Sequence, residues 1–195
     1  MTTQHTDGWC VARIRDGDIE ALGELYKRYK TQVYRTALAI THDERAAEDI
    51  LQEAFLRVYT YAYRIDETLP LGPWLYRATV NLAYSWTSRV KIWLHSLQGT
   101  FDRWRSPAQC HPEAMAEEQE QRQILQQAID ALSPGHRVVI ILYYLEDLSL
   151  KEIAYVIGIP EGTVKSRLHY AREHVRKAIM EQERMLVPEV AYDFT

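Results

Sequence analysis

The residues best suited to chemistry lie near the end of the sequence, on what reads as a single helix. Between Gly162 and Lys177 stand five cations (Lys165, Arg167, Arg172, Arg176, Lys177) against one acidic residue, Glu173, in a chain whose net charge is −4. A local positive surplus on an acidic chain points to phosphate, since each neutralised phosphate releases condensed counterions. Thr163, Ser166, Arg167 and Tyr170 lie near the start of that helix, off its apolar stripe. Their hydroxyls and guanidinium suit base edges in a major groove. A plain solvated face is the competing reading. It leaves unexplained why the elements described next arrive together with the charge.

Two helices and a tight turn must position these groups. Ser149 and Glu152 have capping-box spacing, so a helix starts there. Ile153, Ala154, Val156 and Ile157 give it an apolar face, and Gly158 stands where a left-handed residue must end it. Pro160 suits the opening of the next helix. Val164, Leu168, Ala171, Val175 and Ile179 then follow at steps of three and four, a single buried stripe. The pair predicts a helix-turn-helix.

A second informative helix is expected over residues 43–62, started by a capping box of Thr41 and Glu44. Ala47, Ile50, Leu51, Ala54, Phe55 and Val58 form its core face. Asp49, Gln52, Glu53 and Leu56 line another face at helical steps. Two carboxylates, an amide and a leucine suit a partner that brings Arg and Lys donors, although such stripes are often solvated surface. Ahead of it, Ile19, Leu22, Leu25, Tyr26, Tyr29, Val33, Tyr34, Ala37 and Leu38 predict a helix of about six turns. After it, residues 63–72 read as a loop and Pro73 opens a further helix. On that helix Arg77, Asn81, Tyr84, Ser85, Ser88, Arg89 and Lys91 are interleaved with Trp74 and Trp86. Rings that stack bases and cations that hold phosphates are the chemistry of a single-strand platform. For the two tryptophans themselves, burial in the core is the favoured expectation.

Composition bounds the fold. Eight Gly and seven Pro in 195 residues favour helices over many-turned sheets. The expectation is an all-α chain: two small helical domains joined by a linker, the second holding the helix-turn-helix. The divisions are 1–91, a linker over 92–119, 120–181, and a tail over 182–195 to which no role is assigned. In the second domain, Ser133-Pro134 caps and opens a helix that Glu146-Asp147 closes. Residues 1–17 are polar, either loose or a short lead-in helix. Cys10 and Cys110 lack metal spacing and the histidines are scattered, so no metal or cofactor is expected. No apolar run reaches membrane-span length and the first residues are too polar for a signal peptide, so a cytoplasmic protein without membrane insertion is expected. No phosphate loop, paired His ligands or nucleophile motif supports an enzyme.

Three segments occur in order: AEDILQEAFLRVY from Ala47, PWLYRATVNLAYSW from Pro73, and LSPGHRVVIILYYLEDLSLKEIAYVIGIPEGTVKSRLHYAR from Leu132. Together they resemble the bacterial RNA polymerase sigma factors of the extracytoplasmic-function group, over residues 15–91 and 120–181. The resemblance implies that Asp49, Gln52, Glu53, Phe55 and Leu56 dock on core RNA polymerase. It implies that Arg77, Asn81, Tyr84, Arg89 and Lys91 melt and read the downstream (minus-ten) promoter DNA. Glu161, Thr163, Lys165, Ser166, Arg167, Tyr170 and Arg172 would read the upstream (minus-thirty-five) element. It implies, too, an inhibitory anti-sigma partner. Three departures weaken the implied grip on DNA: Val80 stands where that group often has Arg, only Arg89 and Lys91 remain of a basic run after the melting helix, and Tyr170 stands where Arg is common. Arg103 and Arg105 in the linker are candidates to compensate. A stand-alone helix-turn-helix regulator with a helical effector domain is the alternative function.

Overall fold

A computed structural model describes residues 5–96 and 116–186. Among these residues every regular element is a helix, in two groups: α1 (Asp7–Arg15), α2 (Ile19–Thr41), α3 (Glu44–Thr60) and α4 (Leu71–Ser96), then α5 (Ala116–Asp130), α6 (Pro134–Ile140), α7 (Leu150–Ile157) and α8 (Glu161–Leu186). A short 3-10 turn, Ala62–Arg64, precedes α4, and a widened π turn, Ile141–Leu145, follows α6.

The local signals around α7 hold in detail. The Ser149 hydroxyl accepts from the Glu152 amide while the Glu152 carboxylate accepts from the Ser149 amide. Gly158 sits at φ 70°, and its amide closes the helix on the Ala154 carbonyl. The Pro160 carbonyl accepts from the amides of Thr163 and Val164, so Pro160 caps α8 from just outside it. Ser149→Ala is expected to cost about 1 kcal/mol, measured as a lowered denaturant midpoint at unchanged slope. Hydrogen bonds from Ser149 hold the Glu152 carboxyl below its ordinary range. A depressed carboxylate stabilises the fold above its unfolded-state pKa and loses that contribution as pH falls through the folded value. The gap between wild type and variant should therefore narrow in acid.

Several boundaries differ from expectation. Thr41 does not cap α3: it ends α2, its hydroxyl donating to the Ala37 carbonyl (2.9 Å). Asp43 takes the cap, accepting from the Ala46 amide at 2.8 Å. A carboxylate at N-cap satisfies that amide as well as a hydroxyl does and adds favourable charge at the helix start. Helix α4 runs on to Ser96 and α5 begins at Ala116, so both helices reach into the expected linker of 92–119, and residues 97–115 lie outside the described ones. Arg103 and Arg105 lie outside the described residues. Helix α8 continues past Glu181 to Leu186.

Residues 7–15 form a packed helix, with Cys10, Val11 and Ile14 buried. Asp7 organises its start. Its carboxylate pairs with Arg28, accepts from the Tyr29 hydroxyl (2.5 Å) and accepts from the Leu71 amide (3.1 Å), the first amide of α4. One acidic side chain thus fixes α1 and α2 and caps α4 from a distance. Arg15 does the same for the loop before α4, donating to the carbonyls of Ala62 (3.0 Å) and Ile65 (2.6 Å). Gly8 is needed where α1 crosses that loop, because a Cβ there would sit 2.1 Å from the Glu67 carbonyl oxygen. Gly8→Ala should cost about 1–3 kcal/mol, the range for overpacking, read as a fall in melting temperature.

Two apolar clusters result. One belongs to the first group alone and holds Leu25, Val33, Ala54, Phe55, Val58 and Leu75. The other joins Ala37, Ile40, Ile50, Val80 and Ala83 of the first group to Leu132, Val138, Leu142, Ile153, Val164 and Leu168 of the second. The two helical groups share a core.

Candidate functional site

The acceptor ridge of α3 faces outward. Asp49 and Gln52 are exposed, and Leu56 keeps 57% of its surface in solvent. Glu53 is half-buried and accepts from Arg57 one turn on (2.9 Å). Beside the ridge runs a groove of about 410 Å³ lined by Tyr26, Lys30, Tyr34, Leu51 and Gln52. Phe55 is the exception in the expected docking set. It is 5% exposed, with its ring edge-on to Tyr26 at 4.9 Å. Helical geometry explains this: Phe55 falls on the side of α3 shared by Ala47, Ile50, Ala54 and Val58, so it supports the ridge from beneath.

The polar face of α4 is only partly free. Asn81 and Arg89 are exposed, Arg89 donating back to the Ser85 carbonyl. Lys91 lies on the same helix, outside the residues whose side chains are described. Arg77 lies with its guanidinium 5.2 Å above the Tyr155 ring and donates to the Tyr155 carbonyl (3.4 Å). The Tyr84 hydroxyl donates to the Pro134 carbonyl (3.1 Å), and burial pushes its pKa up. Tyr155 and Pro134 belong to the second helical group, so these two α4 residues are bonded across the shared core. Val80 is buried in that core, which gives a packing reason for its lack of charge. Trp74 and Trp86 are each half-buried against an apolar cluster. Trp74 also lines an open cavity of about 630 Å³ with Arg64, Leu69, Lys151 and Tyr155, so neither tryptophan is fully core.

On α8, Val164, Leu168 and Ala171 are buried, which turns Glu161, Lys165, Ser166, Tyr170 and Arg172 outward. Thr163 and Arg167 are half-buried, Arg167 beside the backbone of Gly135. Arg172 is already engaged: its guanidinium lies over the rings of Tyr143 (5.0 Å) and Tyr144 (5.3 Å). A cation over two rings ties α8 to the π turn, while Arg172 itself stays exposed.

Glu146 was expected only to close a helix, yet its side chain is the most deeply buried charge described at the seam, 1% exposed. The Tyr76 hydroxyl donates to one carboxylate oxygen (2.8 Å) and the Thr36 hydroxyl to the other (3.0 Å). Arg35 donates to the neighbouring Leu145 carbonyl (2.7 Å), with its guanidinium 3.7 Å from Glu146. Burial raises the Glu146 pKa against the pull of these donors. The π turn delivers it, through an amide bond from Glu146 to Ile141 (3.3 Å) that spans five residues and shifts the helix register. A second polar bridge lies nearby, where Arg137 and His42 meet at 2.7 Å. Burial lowers the His42 pKa, with Asp130 opposing and Arg137 adding to it; a guanidinium can only donate, so the imidazole Nε2 accepts that bond. None of this pairing follows a local spacing rule, because the partners are about 110 and 70 residues apart.

Comparison with known proteins fits this arrangement. Residues 25–91 match the family model Sigma-70 region 2, and residues 122–175 match Sigma-70, region 4. The chain is 31% identical over 176 residues to the ECF RNA polymerase sigma factor SigW of Bacillus subtilis, covering 87% of this chain and 94% of that one. It is 34% identical over 158 residues to the ECF RNA polymerase sigma factor SigL of Mycobacterium tuberculosis, covering 80% and 88%. Among solved structures it resembles CnrH in complex with the cytosolic domain of CnrY, with a TM-score of 0.66 at 21% identity, over 90% of this chain and 97% of that one. That likeness establishes the two-part helical fold.

Proposed function

The chain belongs to the extracytoplasmic-function RNA polymerase sigma factors, and on that premise we propose which of its residues do the work. The ridge of Asp49, Gln52, Glu53 and Leu56 docks on core RNA polymerase, with Phe55 holding it from below. Arg77, Asn81, Tyr84, Arg89 and Lys91 take the opened downstream promoter strand, where stacking and hydrogen bonds offset the cost of unpairing. Glu161, Thr163, Lys165, Ser166, Arg167 and Tyr170 read the upstream element in the major groove. Arg172 braces the recognition helix.

The observation that carries this reading is the presence, in one chain, of an exposed acceptor ridge on α3 and an exposed cationic face on α8. The first suits a large basic protein surface and the second suits DNA. The phosphodiester chemistry then belongs to the polymerase, and this chain contributes no reaction step. It acts where polymerase and promoter are, in the cytoplasm; no helix among the described residues is long and apolar enough to cross a membrane. An anti-sigma partner belongs to the same proposal, in keeping with a protein of similar fold, the sigma factor RpoE from Bartonella quintana, solved in complex with the anti-sigma factor NepR.

The test mixes purified chain with core polymerase, separates the mixture by size, and sequences the transcript starts from genomic template. Co-elution and a defined set of start sites are expected. Separate migration would contradict the docking assignment.

A further inference from the structure

We propose that the small cavity between α4 and α6 is a binding site for a phosphate-type oxyanion, held by the guanidiniums of Arg137 and Arg167. Ile40, Tyr84, Thr87, Pro134, Arg137 and Val138 line the cavity, whose volume is about 190 Å³. That is several times the ~30 Å³ that one water takes up in the liquid. No acidic side chain lines it.

Unmet donors carry the inference. Arg137 meets His42 with Nη1 (2.7 Å) and donates with Nη2 to the carbonyls of Asp130 and Leu132. Its Nε is left buried, with no hydrogen-bond partner among the described residues. A buried donor without an acceptor bears its full desolvation cost, and in native structures such a group calls for a specific reason, an ion among them. Arg167 is half-buried and has no hydrogen-bond or ion-pair partner among the described residues. Its guanidinium lies against Gly135, next to the Pro134 wall, where a Cβ would stand 3.2 Å from Nη1. Both guanidiniums act on Tyr84, pulling its pKa down against the burial that raises it.

The neighbouring groups do not meet this demand. The Asp130 carboxylate faces His42 (3.3 Å). The Tyr84 hydroxyl donates to the Pro134 carbonyl (3.1 Å) and the Thr87 hydroxyl to the Tyr84 carbonyl (3.0 Å). What remains is guanidinium N–H in an enclosed space with a positive surplus. Guanidinium forks match the oxygens of a phosphate group, and charge-assisted bonds of this kind are the strong ones. The phosphate comes either as a free inorganic ion or as the end of a nucleotide. Arg167 also belongs to the set assigned above to the upstream element. The test reads anion binding without DNA, so either assignment can fail alone.

The full chain is titrated calorimetrically with sodium pyrophosphate and with ADP, at constant ionic strength in chloride and without magnesium. Saturable one-to-one binding of pyrophosphate is expected, with a rise in melting temperature, since an ion that binds only the folded chain stabilises it. ADP binding as tightly as pyrophosphate would place the phosphate end of a nucleotide in the cavity; binding of pyrophosphate alone would assign the inorganic ion. Arg167→Ala should weaken binding on the order of tenfold or more. Thr87→Glu sets a carboxylate in the wall, where it takes the free donors itself, and should abolish binding. Lys177→Ala removes one exposed cation from the same helix and should bind like wild type. Circular dichroism shows that each variant keeps its helices.

Absence of saturable binding by both ligands overturns the site, leaving the cavity to water. Binding that survives Arg167→Ala and Thr87→Glu unchanged also overturns it, because the ion then sits elsewhere. An equal loss in Lys177→Ala overturns it as well, by showing diffuse attraction to the cations of α8.

Discussion

A chain carrying Asp49→Arg with Leu56→Asp is expected to lose core polymerase almost completely while staying folded. Both side chains are exposed on α3 and neither has a hydrogen-bond or ion-pair partner among the described residues. Surface changes of this kind usually move stability by no more than about 0.5 kcal/mol. Their effect on docking is of another size. The arginine sets like charge against a surface proposed to carry Arg and Lys, and the aspartate buries a charge where an apolar anchor should seat. Repulsion and an unpaired interfacial charge each cost several kcal/mol, so the apparent affinity should fall by at least about a hundredfold. Phe55→Ala supplies the contrast. Its ring is buried against Tyr26, and truncating such a ring costs about 3–5 kcal/mol of stability. It too would abolish binding, but with a lowered melting temperature. Normal docking by the double variant would move the interface off α3.

What could be read from the residues alone was what local rules encode. The Ser149–Glu152 box, the left-handed Gly158 and the stripe from Val164 to Ala171 are each decided within a few positions, and each forms as expected. The same rules placed Phe55 on the core face of α3 and Asp49, Gln52 and Leu56 on its exposed side, as the structure has them, and only the family resemblance drew Phe55 into the docking set. What escaped was set by distant partners. Asp7 reaches across more than sixty residues to cap α4, so no spacing near Leu71 reveals it. Glu146 follows an apolar run and reads as a helix end. The π turn redirects it into the first helical group, where Thr36 and Tyr76 wait. The expected linker hid this as well, since two domains on a tether need share no core, and these two groups share one. Arg172 illustrates the limit in reverse. Counted as charge it belongs to the DNA-binding set, and its place over the rings of Tyr143 and Tyr144 adds a structural contact that no local spacing reveals.

That distinction separates the basic residues of α8 into two kinds with different expected failures. Lys165 is fully exposed on the first turns of the helix, and Arg167 is half-buried at the edge of the same face. Base-edge contacts are worth about 1–3 kcal/mol each, so Lys165→Ala with Arg167→Ala should reduce transcription from promoters that need the upstream element by about thirtyfold or more. If Lys165 grips phosphate instead, its single variant should weaken all upstream sequences alike and flatten the salt dependence. Arg172→Ala should do neither first. Losing a cation stacked on Tyr143 and Tyr144 frees α8 from the π turn, and each such contact is worth about 0.5–2 kcal/mol. Its expected result is a lower melting temperature, with promoter selection intact in the fraction that stays folded. The two outcomes are read together by holoenzyme transcription and thermal unfolding of the same preparations. Should Arg172→Ala change promoter choice at unaltered stability, its guanidinium leaves the tyrosines for DNA. Should the Lys165 and Arg167 double variant transcribe normally, the reading face of α8 lies elsewhere on the helix.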